Sequence, residues 1–331
     1  MNNKQRLYEM LTYKRGHGSQ SEAQWIERFI NPYEPTNLND MALVIITDDT
    51  SRTLFSCHTD SVHRKEGRQV VHYDKAKQCY YKTDDEPLGA DDAAGAWLML
   101  EMIDAGVPGT YVFHRAEECG GQGSRFLSAH YEEFLSGFDR AIAFDRRGST
   151  SVITHQSMGR CCSDTFAEAL ADALSEHEPC MYMPDDTGIF TDTANYTEII
   201  PECTNISCGY ENEHSGRETL HLPTILNLRD ACLKIDWESL PTSRDPSVVE
   251  PVRWTTGSLT RSSYYYDAPA AGPSLLHMTR SEMEDMAYTD PETFVAMVRE
   301  ELFDEPMCAG TQVSAYDTYD SYSYDWSIRR K

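Results

Sequence analysis

GADDAAGAWLMLEMIDAGVPGTYVFHRAEE, residues 89–118, decides the fold. It opens in a glycine-containing loop with two adjacent acids, Asp91 and Asp92. It then runs into an apolar helix carrying Trp97, Leu98, Leu100 and Met102, which Gly106 ends. A short apolar strand, GTYVF, follows, and the chain reaches two glutamates, Glu117 and Glu118, just beyond it. Charge that follows an apolar strand belongs at the rim of a sheet, because two buried and unpaired carboxylates would be costly. In open α/β sheets, active sites collect at that rim.

The same grammar extends both ways. Upstream, two short helices are expected over residues 5–14 and 19–30. MALVIITD (41–48) and TLFSC (53–57) are expected to pair as antiparallel strands, and VVHYDKAKQCYYKT (70–83) as a hairpin. Downstream, SRFLSAHYEEFL (124–135) reads as a helix, FDRAIAFDRRG (138–148) as a strand with charge at its end, and SVITH (151–155) as a strand. SDTFAEALADALSEH (163–177) reads as a helix, ECTNISCG (202–209) as a strand and HLPTILNLRDACLKIDW (221–237) as a closing helix. Strands and helices in alternation predict an α/β protein, a three-layer α/β/α sandwich with a central mixed sheet, similar to phosphorylase/hydrolase-like folds. Residues 1–238 are assigned to this domain. Residues 239–331 form a Pro/Ser/Tyr-rich extension with one helix at 290–303, capped by Asp290, and a low-complexity Tyr/Asp/Ser tail.

Twenty-nine basic residues stand against 54 acidic ones, a formal charge of −25. That balance argues against nucleic acid or an anionic membrane as a partner. No apolar run reaches the length of a membrane span, and the first residues carry no secretory signal. The ten cysteines fit no zinc-finger or disulfide framework. Reduced thiols in the cytoplasm are the expectation.

Five segments carry acids or histidines at strand ends: CHTDSV (57–62), PLGADDAAG (87–95), RAEECGGQG (115–123), AFDRRG (143–148) and GYENEHSGRE (209–218). Each interval between His58, Asp91, Glu118, Asp145 and His214 is long enough for a strand–helix or hairpin excursion, so one sheet edge can gather all five. Imidazole and carboxylate suit Zn²⁺, and two such ions close together need a shared carboxylate. Asp91 is placed to bridge. His58 and Asp145 complete one site, and Glu118 and His214 the other. Asp60 orients the His58 ring, and Glu117 is free to act as a base. Read singly, each feature has a plain alternative. Asp91 and Asp92 suit a helix N-cap, His58 a core histidine, and the two glutamates a solvated face.

As an ordered set, these motifs resemble the di-zinc exopeptidase superfamily that includes peptidase T, bacterial leucyl aminopeptidase and glutamate carboxypeptidase. CHTDSV resembles its His-x-Asp motif, GADDAAG the segment of its bridging aspartate, and AEECGGQGS its Glu-Glu motif. The resemblance spans residues 58–218 and implies two zinc ions per chain, held by His58, Asp91, Glu118, Asp145 and His214. It implies Glu117 and Asp60 as catalytic residues, and a cis peptide between Asp91 and Asp92. The 69 residues between Asp145 and His214 leave no room for the lid domain of the peptidase T and carboxypeptidase branch. The single-domain aminopeptidase branch is therefore the nearer one. The expected activity is aminopeptidase hydrolysis by a metal-activated water with a glutamate general base. The alternative is a carboxypeptidase, or an amidohydrolase or deacylase, acting on small N-acyl or dipeptide substrates. The expected partner is a peptide or small amide; a homo-oligomer is compatible with this reading. Asp192 falls where relatives place a substrate loop, His155 is a weaker oxyanion candidate, and Tyr210 and Arg217 flank His214.

Overall fold

Eight strands form the central sheet. Along the chain they are β1 (Thr36–Leu38), β2 (Ala42–Ile46), β3 (Thr53–His58), β4 (Thr110–His114), β5 (Arg140–Arg146), β6 (Ser151–Ile153), β7 (Met183–Asp185) and β8 (Glu202–Ser207). Their spatial order is β7-β6-β8-β5-β3-β4-β2-β1. The central four, β8, β5, β3 and β4, run parallel. Antiparallel pairings bring in β6 on one side and β2 on the other. The structure is a computed structural model and describes residues 3–156, 159–176 and 181–248.

Strand alternation builds the layers. Phe55, Tyr111, Phe113 and Phe144 face one core with helices α1 (Asn3–Leu11), α2 (Gln20–Phe29), α3 (Ala90–Asp104), α6 (Asp164–Ser175) and α7 (Leu222–Cys232). Their neighbours Leu54, Val112 and Ala141 face the other core, with Leu127 of helix α4 (Gln122–His130) and Leu135 of α5 (Glu132–Leu135). The result is the expected mixed sheet between helical layers. Helix α3 lies so close to β5 that a Cβ at Gly95 would stand 2.1 Å from the Phe144 carbonyl oxygen. Only glycine fits there.

The expected pairing of residues 41–48 with 53–57 does not form. Strand β4 lies between them, antiparallel to β2 and parallel to β3. All five residues of β4 are buried, and a strand buried along its whole length suits a central position, with a partner on each edge and a layer on each face. A two-strand pairing through the 47–52 turn would leave it at the margin. The 70–83 hairpin does form, from His72–Asp74 and Cys79–Tyr81. It continues through Thr219–His221 to Tyr210–Glu211, so a second small sheet carries the loop of His214.

Hydrogen bonds to the sheet continue beyond residue 238. Arg140 Nη2 donates to the Leu240 carbonyl at 3.0 Å, and the backbone N–H groups of Ser243 and Arg244 donate to Glu202 Oε1 at 2.7 and 3.0 Å. The helix expected at 290–303 and the tail lie outside the described residues. The eight described cysteines are free thiols. No helix among the described residues is long and apolar enough to cross a membrane.

Candidate active site

The parallel strands deliver side chains to one edge of the sheet. His58 is the last residue of β3, Asp145 the penultimate residue of β5, and the Glu117–Glu118 turn follows β4. The peptide between Asp91 and Asp92 is cis, as the resemblance implied. Both residues depart from helical geometry, so α3 winds regularly only after Asp92. Asp92 caps that helix, its Oδ1 accepting from Gly95 N at 2.8 Å, while Oδ2 accepts from His58 N at 3.3 Å. The cap reading and the ligand reading thus fall on neighbouring residues.

Asp91 offers one oxygen to each imidazole. Oδ1 lies 3.0 Å from His58 Nε2, and Oδ2 lies 3.1 Å from His214 Nε2. Each imidazole meets one further carboxylate: Asp145 Oδ1 stands 3.6 Å from His58 Nε2, and Glu118 Oε2 stands 3.2 Å from His214 Nε2. The five residues singled out as ligands therefore converge as two sets sharing Asp91. His58, Asp91 and Glu118 can bring ligand atoms within 4.8 Å of one another, as can His58, Asp92 and Asp145. The second grouping names Asp92, but both of its oxygens already accept backbone N–H groups, which leaves Asp91 as the freer donor.

Electrostatics point the same way. Burial opposes charge on His58, yet Asp145, Asp60 and Asp91 outweigh it and lift its pKa well above the usual range. Hydrogen bonds to Asp91 and Glu118 push His214 up to about 11. Burial and the charge of Asp91 raise Glu118 to about 7 and Asp145 to about 6. These carboxylates crowd together, with the two imidazoles as the basic groups in direct contact with them. Divalent cations would balance their charge and displace the ring protons. Glu118 Oε1 is buried without a partner, a further sign that the donor set fits metal ions.

Other groups hold this set in place. Asp60, fully buried, accepts from Glu117 N at 3.1 Å and Glu118 N at 3.2 Å, and its Oδ1 lies 3.5 Å from His58 Nδ1. It fixes the glutamate turn and faces the His58 ring from behind. Ala116, just before that turn, adopts φ of 60°, a left-handed conformation unusual for a residue with a Cβ and typical of functional sites. Tyr210 donates to Asp145 Oδ1 at 3.0 Å and Thr191 to Oδ2 at 2.8 Å. Asn205 brackets the Asp145 backbone, its Oδ1 accepting from N at 2.8 Å and its Nδ2 donating to O at 2.6 Å. Glu218 accepts the backbone N–H groups of Gly89, Ala90 and Asp91 at 2.9, 2.7 and 3.1 Å, clamping the loop of the shared aspartate. Arg15, fully buried, donates to the carbonyls of Thr59 at 3.0 Å and Gly89 at 3.1 Å. Sequence reasoning missed Glu218, Thr191 and Arg15, whose partners are remote in the chain. Asn205 left no clear signal, because Glu202, Thr204 and Ser207 of the same strand are polar as well.

Asp91, Glu117, Glu118, Asp145 and His214 line a cleft of about 300 Å³. Three of the flanking candidates, Asp192, His155 and Arg217, stand outside the cleft. Asp192 is buried away from the cleft, its Oδ2 3.2 Å from His114 Nδ1. Its position at the start of a short 3-10 helix (Asp192–Tyr196) turns it into the sheet. His155 lines a separate surface hollow and meets Thr154 Oγ1 at 2.9 Å. Arg217 is exposed and outside the cleft. Tyr210 lines the cleft and donates to Asp145 Oδ1.

No family model matches the sequence, and no curated protein does. Solved structures share the fold. An aminopeptidase PepT from Bacillus cereus superposes with a TM-score of 0.58 at 11% identity, over 70% of this chain and 96% of the other. A TET aminopeptidase from a marine sediment archaeon of the Thaumarchaeota gives 0.56 at 11% identity, over 72% and 99%. The Pyrococcus horikoshii TET1 peptidase, which can assemble into a tetrahedron or a large octahedral shell, gives 0.53 at 15% identity, over 70% and 98%.

Proposed function

We propose that this chain is a two-zinc exopeptidase of the aminopeptidase kind, acting on peptides from their amino end. The observation that carries the reading is the shared carboxylate of Asp91, with one imidazole on each of its oxygens and a further carboxylate beside each imidazole. His58, Asp145 and Asp91 would hold one ion, and His214, Glu118 and Asp91 the other. When bound, such ions polarise a scissile carbonyl and acidify a water. The fold's likeness to structures named as aminopeptidases supports peptide hydrolysis as the reaction.

Glu117 is the general base. It lines the cleft beside Glu118 without entering either imidazole pair. Burial, reinforced by the charges of Asp145, Asp192 and Glu118, raises its pKa well above the ordinary range for a glutamate. A carboxylate with that affinity for protons can take one from the attacking water and return it to the leaving amine. Asp60 positions this base by holding its backbone N–H. The acidic wall of the cleft, including Glu213, suits a cationic α-amine. Free thiols fit a cytoplasmic setting, and assembly into a homo-oligomer is compatible with the likeness to TET1.

The test is elemental analysis of pure protein, joined to assays on aminoacyl, carboxypeptidase-type and N-acyl substrates. Two zinc ions per chain and chelator-sensitive release of amino-terminal residues are expected. A metal-free protein whose activity survives strong chelation would overturn the reading.

A further inference from the structure

The cleft carries cationic and amide groups that metal binding and proton transfer leave unused. Arg146 follows Asp145 on β5, and in a regular strand the two side chains would point to opposite faces. The pairing of β5 with β8 is irregular here. Asn205 pairs with Ala143, but Ser207 pairs with Arg146, so one extra residue sits on β5. A bulge of this kind re-aims a side chain, and both Asp145 and Arg146 line the cleft.

The guanidinium is fixed there. Arg146 Nη2 donates to Thr187 O at 3.3 Å and to Thr187 Oγ1 at 3.0 Å, and lies 3.9 Å from Asp185 Oδ2. Its Nε is buried with no hydrogen-bond partner. Two acceptors in the same cleft are also buried and unpartnered, Gln156 Oε1 and Glu213 Oε2. Gln156 is only 5% exposed, with Nε2 turned to Thr193 Oγ1 at 3.5 Å. Glu213 gives its other oxygen to Arg147 Nη1 at 3.1 Å. Each unpaired buried polar atom costs free energy unless a water or a ligand satisfies it. One charged donor and two acceptors are the complement of a small zwitterion: a carboxylate for the arginine, and N–H groups for Gln156 and Glu213. The apolar residues Ile153, Ile189 and Phe190 line the same space, and Ile189 is 68% exposed. A volume of about 300 Å³ stands at the small end of ligand sites, room for two or three residues.

We propose that the preferred substrates are short peptides with a free C-terminus and apolar side chains, whose terminal carboxylate is taken by Arg146. The proposal rests on the exopeptidase reading and narrows it from aminopeptidase to di- or tripeptidase. Arg146 is then a specificity-determining residue, since an arginine fork matches a carboxylate in shape and charge.

The test pairs leucyl-leucyl-glycine with its C-terminal amide on the full-length, zinc-loaded protein. Hydrolysis is followed by kinetics. Binding is followed by calorimetry in the Glu117→Gln background, where the peptide stays intact. The free acid should be preferred by about tenfold or more, the scale of one charge-assisted hydrogen bond. Arg146→Met should bring acid and amide within about twofold, with zinc content unchanged, and Arg146→Lys should restore part of the preference. Equal use of acid and amide by the wild type overturns the proposal without needing any variant to fold, and leaves the exopeptidase reading standing. A preference that survives in Arg146→Met also overturns it. Selective, Arg146-dependent binding of an acid that is never cut would sustain this proposal while the exopeptidase reading fails.

Discussion

The two ends of the central strands carry similar residues in opposite states. At the amino ends, Arg52 forks onto Asp139 with bonds of 2.8 and 2.7 Å. Glu238 there accepts from Ser51 Oγ, Arg52 N and Thr53 Oγ1 at 2.6, 3.1 and 2.8 Å, and stands 3.5 Å from Arg140 Nη1. Each acid has a base or several donors, and the pKa values of Asp139 and Glu238 are lowered. At the carboxyl ends, acids crowd on acids, the pKa values of Glu117, Glu118 and Asp145 are raised, and polar atoms lie buried without partners. The amino-end acids have their partners within the chain, whereas Glu118 at the carboxyl end keeps a buried oxygen without one. The contrast separates acids satisfied within the fold from the acids that the proposed function assigns to chemistry.

Mutations can break that contrast. The largest effect is expected for Glu117→Gln: turnover should fall by about 10²–10⁴, with zinc content and melting temperature nearly unchanged. A variant that loses zinc instead would make Glu117 a ligand. Glu118→Gln should lose part of one zinc ion, with activity returning in excess zinc; full retention of both ions would remove Glu118 from the ligand set.

Removing zinc should reduce thermal stability, because bound ions oppose the repulsion among Asp91, Glu118 and Asp145. Retention of zinc should weaken as pH falls, since the raised pKa of His214, about 11 without metal, means that protons compete for its ring. Equilibrium dialysis at two pH values checks the sign, and stronger retention at the lower pH would contradict it.

Glu218→Ala belongs to the carboxyl end but should behave as a stability mutant. Three backbone N–H groups lose their acceptor, a cost of about 3 kcal/mol, read by denaturant unfolding. The smallest effect is expected at the amino end. Arg52→Ala removes an ion pair whose arginine side chain is 52% exposed, a loss of about 0.2–1 kcal/mol with kcat unchanged. A marked loss of activity there would mean that the two ends are coupled.

Adjacent residues mark how far reading the chain could go. Asp91 and Asp92 are chemically identical, and either suits a ligand or a cap. Only the backbone turn between them assigns Asp92 to Gly95 N and Asp91 to the imidazoles. Asp192 showed the converse: a loop acid at a plausible position whose side chain meets His114 instead of the cleft.

By itself the chain's sequence determined the alternation of strands and helices, and the five residues His58, Asp91, Glu118, Asp145 and His214 as one group. Local periodicity and charge at strand ends are properties of short segments, and those survive without tertiary context. Tertiary structure alone decided that β4 separates β2 from β3, that Glu218 and Arg15 brace the Asp91 loop, and that a bulge turns Arg146 into the cleft. Those outcomes depend on contacts between residues dozens to more than a hundred positions apart. Which edge a strand pairs with, and which buried polar atom finds a partner, is settled only when the whole sheet closes its accounts of area and hydrogen bonds.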